Sequence, residues 1–174
     1  MQPEEYKSSI AIIGCNKAAN EYIAKAVANR LGMRYMDLDG YLKYIMGGIS
    51  ASKALIKSGP EFLLESMRSA YSQAAEFEGV VIASSALIFC TGADDIIKNC
   101  YTFIPQRERV DIRRIDVKLR KYMDVDAFLT NYALACAMCI LLSGGVEENV
   151  KPIPSFLEDT AEGSVLLKPC GTGR

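Results

Sequence analysis

The chain has no histidine among its 174 residues. That removes the side chain that titrates near neutral pH and the commonest nitrogen ligand of metals. Ser-His-Asp and Cys-His nucleophile activation and histidine-zinc chemistry are excluded with it. An excess of charge of one sign is also missing, since 20 Lys and Arg face 21 Asp and Glu for a formal net charge of −1. No global field draws the chain to nucleic acid or to an anionic membrane. The amino terminus, Met1-Gln2-Pro3-Glu4-Glu5, lacks the basic, apolar and small-residue order of a signal peptide. The longest apolar run, 127–142, falls short of the ~20 residues of a membrane span. Six cysteines (15, 90, 100, 136, 139 and 170) are scattered, without the dense spacing of a secreted disulfide scaffold. A reducing cytoplasm is the expected compartment, and the chemistry must rest on carboxylates, lysines, tyrosines or thiols.

What is present reads as one globular domain, with half of the residues hydrophobic and 24% charged. Strand and helix signals alternate through the first two-thirds, so the expected fold class is α/β with a central parallel sheet flanked by helices. The expected strands are Ser9 to Ile13, Arg34 to Asp37, Gly79 to Ala83 and Tyr101 to Ile104. Helical spacing runs from Glu21 to Leu31, where Gly32 ends it, and from Glu61 to Phe77. Shorter helical pieces are expected at Tyr41 to Met46, Ala51 to Ile56 and Asp94 to Asn99, with a break at Ser58-Gly59-Pro60. The chain thus divides into an α/β core at 1–105, a helical and lid-like stretch at 106–143, and an irregular tail at 144–174. Arg107 to Lys121 reads as basic and helical. Ala127 to Leu142 reads as a helix for the interior or for an interface with a protein partner or a second copy. In the tail, Val165 to Leu167 is strand-like.

Between the first strand and the first helix lies Gly14-Cys15-Asn16-Lys17-Ala18-Ala19-Asn20-Glu21. Strand, glycine turn and helix is the setting of the phosphate-binding loop G-x-x-x-x-G-K-[ST]. Gly14 keeps the first glycine, but Ala19, Asn20 and Glu21 stand at the second glycine, the lysine and the magnesium-binding hydroxyl. Glu21 places a carboxylate in the expected first helical turn, where it satisfies the helix end and repels a phosphate. Two readings remain: a plain strand-to-helix turn, or a modified anion site that uses Lys17. Asp37 and Asp39 end the second strand and suit either magnesium water and a substrate hydroxyl or, for Asp39, a helix cap. Cys136 and Cys139 have C-x-x-C spacing inside an apolar run, where small apolar packing is the ordinary role. No metal site is expected. Arg107, Arg109, Arg113 and Arg114 are either a solvated face or a clamp for an anion.

From about Ser9 to Pro105 these segments together resemble shikimate kinase, a small P-loop kinase that phosphorylates a hydroxyl of shikimate from ATP. The matching stretches are Ile10 to Gly14, Ala24 to Gly32, Arg34 to Asp39 with its D-x-D, Gly48-Ile49-Ser50, Gly59 to Phe62, and Val80 to Ser84. The resemblance implies a three-layer P-loop kinase-like fold. It also implies metal-water and substrate-hydroxyl roles for Asp37 and Asp39, and a substrate cleft beside Ser84. In that cleft Ser85-Ala86-Leu87 replace the family's glycine triplet, and Leu64 stands where its carboxylate-binding arginine is expected. Two expectations for function follow. One is a pseudokinase-type binding or interaction module without a nucleotide. The other is a small-molecule kinase with a rebuilt phosphate site, the case in which ATP and magnesium are cofactors.

Overall fold

The computed structural model describes residues 8–105, 117–142 and 147–155. Five strands form one parallel sheet in the order β2-β3-β1-β4-β5, with β1 at Ser9–Ile13, β2 at Arg34–Asp37, β3 at Val80–Ser84, β4 at Cys100–Pro105 and β5 at Ile140–Leu142. Ile10 pairs in register with Val81 and Tyr101, so β1 is central. Both faces of a central parallel strand must be covered, which explains the unbroken apolar runs of β1 and β3.

Alternation along β1 divides the core in two. Ile10 and Ile12 join Val81, Ala83 and Phe103 beneath α1 (Lys17–Leu31), whose Ile23, Ala24, Val27 and Ala28 are buried. Ala11 and Ile13 face the opposite layer, built from α2 (Leu38–Ile45), α3 (Ala51–Ala75), α4 (Asp94–Asn99) and part of α6 (Val125–Met138). Helix, sheet and helix are the three layers expected of the α/β class. Gly32 ends α1 in the left-handed conformation (φ 66°, ψ 21°), as its position after the last periodic residue implies.

Several boundaries differ from the sequence reading. Helix α1 begins at Lys17, four residues before Glu21, because the Asn16 side chain accepts from Ala19 N and starts it earlier. The helical pieces on either side of Gly59 together fill Ala51–Ala75, longer than expected, but the expected break holds: Gly59, at φ 85° and ψ 174°, is non-helical and separates two helices at a kink before Pro60. The apolar stretch 127–142 is not one helix: α6 stops at Met138, and Ile140–Leu142 adds to the sheet beside β4. That strand completes the sheet edge, which a continued helix would leave with unpaired β4 backbone groups.

Helix α6 does not bury its whole surface either. Phe128 and Ala135 are buried, while Leu129, Leu134 and Met138 are 40–55% exposed. It docks through Phe128 and Tyr132 against Phe89, in edge-on contacts of 5.8 and 5.1 Å, and Asn131 Nδ2 donates to Phe89 O at 2.6 Å. Asn131, a polar interruption in the sequence, is therefore a docking contact. Of the basic stretch, only α5 (Val117–Arg120) and the turn after it are described. Arg107 to Arg114 and the strand-like Val165 to Leu167 lie outside the described residues. No described helix is long and apolar enough to cross a membrane.

Candidate functional site

Open α/β sheets place ligand chemistry beyond the carboxyl ends of their strands. A cleft of about 530 Å³ lies there, lined in part by Cys15, Asn16, Lys17, Asp39, Ser85 and Ala86. Leu87, already placed in the cleft by the resemblance, is joined by Leu42, Met46 and Leu119 as apolar walls that the sequence reading did not anticipate. For Leu42 and Met46 the signal was helical spacing, which marks a buried side without saying that a cleft adjoins it.

The turn from β1 to α1 is short. Only Gly14, Cys15 and Asn16 separate Ile13 from Lys17, so Lys17 and Ala18 are helical where the phosphate-loop pattern requires loop. Asn20, at the pattern's lysine position, is 1% exposed. Its Nδ2 donates to Gly14 O at 2.9 Å and to Ser84 O at 2.7 Å, which staples the turn to the end of β3. Its Oδ1 has no partner among the described residues. A Cβ built on Gly14 would meet that Oδ1 at 3.4 Å, so the space beside the first glycine holds the Asn20 amide. Glu21 lies in the second turn of α1 and does not cap it, because Asn16 does. Its carboxylate binds Lys17 Nζ one turn back and approaches Lys25 one turn on.

Lys17 is the electrostatic centre of the site. Besides Glu21, its Nζ lies 3.5 Å from Asp37 Oδ1 and 3.4 Å from Asp39 Oδ2. Partial burial disfavours the ammonium, but the hydrogen bond to Glu21 and the charges of Asp39, Asp37 and Glu21 outweigh it, so its pKa is raised. The two aspartates thus converge, although not by strand alternation. Asp37 ends β2 and caps α2, its Oδ1 accepting from Asp39 N at 3.1 Å, whereas Asp39 sits in the first turn of α2. The expected cap at Asp39 falls to Asp37, because the chain turns helical at Leu38.

Asp39 is the more buried of the pair, with its side chain 16% exposed against 39% for Asp37. Ser85 holds it, with Oγ donating to Asp39 Oδ1 at 3.0 Å and the backbone N at 3.5 Å. Burial raises the Asp39 pKa, while Lys17 and the Ser85 hydroxyl pull it down and Asp37 pushes it further up. A buried carboxylate with a raised pKa at a cleft wall suits accepting a proton or hydrogen bond from a ligand. Tyr35 is pushed up to about 12, mainly by burial and then by Asp37 and Glu21, so it stays protonated.

The remaining candidates separate. Ser84 is buried at the end of β3, offering its carbonyl to Asn20 and its hydroxyl to Ser85 O. Ala86 lines the cleft. Leu64 lines an adjoining cavity that shares Leu87 and Leu119 with the cleft. Cys136 and Cys139 pack against the core, with no disulfide formed. Among the described residues no cluster of three metal-ligating side chains occurs.

No protein-family model and no curated protein matches the chain. Solved structures do. Shikimate kinase from Aquifex aeolicus superposes with a TM-score of 0.67 at 17% identity, covering 89% of this chain and 99% of that one. The fold is that of the shikimate kinases. Shikimate kinase from Acinetobacter baumannii, solved with shikimate, gives a TM-score of 0.68 at 10% identity over 94% and 97% of the two chains. A gluconokinase from Sinorhizobium meliloti gives 0.53 at 15% identity over 91% and 96%.

Proposed function

We propose that this protein uses the shikimate kinase fold as a binding and interaction module without phosphoryl transfer. The Asn20 staple carries the reading. A working phosphate loop needs open backbone N–H groups and a lysine charge. Here an amide holds the lysine's position shut against Gly14 and Ser84, and α1 starts inside the loop. The nearby Lys17 is already engaged by three carboxylates, so its charge is not free to neutralise a triphosphate. The residues present do not fit ATP with magnesium, and no step is routed through them. Loss of even one charged partner of a buried ion costs ~2–5 kcal/mol. The cleft beside Asp39 and Ser85 remains as the small-molecule site, and the exposed Leu129, Leu134 and Met138 of α6 offer a surface for a partner or a second copy.

Calorimetric titration with Mg-ATP, with shikimate present, tests the reading. The expected result is no binding heat and no product. Micromolar binding with turnover overturns it. A second reading, a kinase with a rebuilt site, is favoured by one observation: Lys17 and Asp39 line the same cleft. It requires that Lys17→Ala and Asp39→Asn each abolish a measurable phosphotransfer.

A further inference from the structure

Ser85 lies between the end of β3 and the 3-10 turn Ala86–Cys90, half-buried on the wall of the cleft. Its Oγ donates to Asp39 Oδ1 at 3.0 Å, and Leu87 N donates back to Oγ at 3.3 Å. The hydroxyl is thus fixed, with its proton directed at a carboxylate. Lys17 holds the other carboxylate oxygen, Oδ2, at 3.4 Å. A nucleophile, a base in hydrogen-bond reach and a third group that orients the base together form the arrangement that activates a serine. Histidine is absent from the chain, so the base has to be a carboxylate, and an ordinary carboxylate is too weak near neutral pH. Burial makes Asp39 a stronger base than usual and Asp37 adds to the effect, while Lys17 and the Ser85 hydroxyl pull the other way without cancelling it.

The rest of the cleft suits negative charge that develops on a carbonyl oxygen. Its lining carries two ammoniums, Lys17 and Lys43, against the one carboxylate of Asp39. Lys17 is paired, but Lys43 makes no ion pair among the described residues. Asn16 lines the same cleft, and only its Oδ1 is taken, by Ala19 N at 3.3 Å. The Asn16 amide N–H groups are therefore free as donors among the described residues. Fixed donors and a net positive wall stabilise an oxyanion as it forms. Leu42, Met46 and Leu87 offer apolar contact to a short acyl or aryl group, and a cleft of about 530 Å³ has room for one small ester.

We propose that Ser85 is a nucleophile with Asp39 as its general base, and that the cleft hydrolyses small apolar carboxylic esters. This activity goes beyond the proposed function and is separate from phosphoryl transfer. Ser85 Oγ attacks the ester carbonyl carbon as Asp39 takes its proton, and the carbonyl electron pair moves to oxygen. Collapse breaks the bond to the leaving oxygen, which receives the proton from Asp39, and acyl-Ser85 remains. Water then attacks the acyl carbon, losing its proton through Asp39 to the departing Ser85 oxygen, and the carboxylic acid is released. The test uses the full chain with 4-nitrophenyl acetate, followed by nitrophenolate release, and with phenylmethanesulfonyl fluoride, followed by peptide mass spectrometry. The expected result is release above the hydroxide background, stopped by the sulfonyl fluoride as it modifies Ser85. Ser85→Ala should abolish release. Asp39→Asn, which keeps an acceptor for the Ser85 hydroxyl, should slow it by at least ~100-fold. The wild-type rate should rise with pH through the folded pKa of Asp39, and Asp39→Asn should lack that rise. If Ser85 only anchors Asp39, release stays at background or the sulfonyl group maps to another residue such as Cys15, Lys17 or Lys43, and either overturns the inference. Wild-type rates in Ser85→Ala or Asp39→Asn overturn it as well. The wild-type mapping stands even if Ser85→Ala fails to fold, and the Mg-ATP titration judges the absence of phosphoryl transfer independently.

Discussion

Replacing Asn20 tests whether the former lysine position is now structural. Asn20→Leu keeps the approximate volume and removes the amide. The carbonyls of Gly14 and Ser84 then lose the donor now held at 2.9 and 2.7 Å. Each orphaned buried acceptor costs ~1–3 kcal/mol, so the two together cost ~2–6 kcal/mol. Part is recovered, because the unpartnered Asn20 Oδ1 leaves as well. Relief of that group offsets about one acceptor, so a net loss of ~1–3 kcal/mol remains. At ~2–4 °C per kcal/mol for a chain of this size, Tm should fall by at least ~2 °C. Asn20→Asp is the sharper variant, since it has the same shape but turns a carboxylate oxygen toward two carbonyl oxygens. It should lower Tm more than Asn20→Leu does. Urea unfolding followed by circular dichroism gives both values. Equal or greater stability of Asn20→Leu would refute the staple and reopen the loop as a ligand site.

Three further outcomes follow from single residues. Gly59→Ala meets no neighbour within 4 Å, so its cost is backbone strain alone at φ 85° and ψ 174°: ~1–3 kcal/mol lost, with a wild-type Tm counting against the kink. Tyr71→Phe removes a buried hydroxyl that has no partner among the described residues, so unfolding stability should hold or rise by up to ~1–3 kcal/mol. A loss above ~1 kcal/mol would mean that the hydroxyl is bound. Asp39 has a folded pKa above its unfolded value, so the folded state binds its proton more tightly. Its contribution to stability is therefore greatest below the unfolded value of ~3.9 and is lost as pH rises through the folded pKa. Asp39→Asn should thus match or exceed wild-type Tm at neutral pH, with the difference narrowing toward acid. A lower neutral Tm in this variant would show the carboxylate to be stabilising.

Much of the core was legible because its signals are local. The apolar runs of β1 and β3, the helical spacing of Ile23 and Val27, and the Gly32 stop each depend on near neighbours in sequence, and each recurs in the structure. The break at Gly59-Pro60 was legible for the same reason, and the non-helical Gly59 makes it in the structure. Asn16, missed as the start of α1, carried a readable signal as a cap-forming residue before a periodic run. The run 127–142 was misread because a short apolar stretch satisfies a helix or a buried strand equally well. Only the free edge of β4, distant in sequence, turns Ile140–Leu142 into β5.

The sequence by itself determined the α/β class, the order of strands and helices from β1 to β4, and the departure of 19–21 from the phosphate-loop pattern. Those are properties of residue type and spacing. Tertiary structure decided what the departures do. Asn20 reaches Ser84, 64 residues away, and Lys17 gathers Glu21, Asp37 and Asp39 from three elements. Hydrogen bonds and charge pairs act over a few ångströms in space, and no periodicity in the chain encodes which distant carbonyl or carboxylate the sheet brings within that reach.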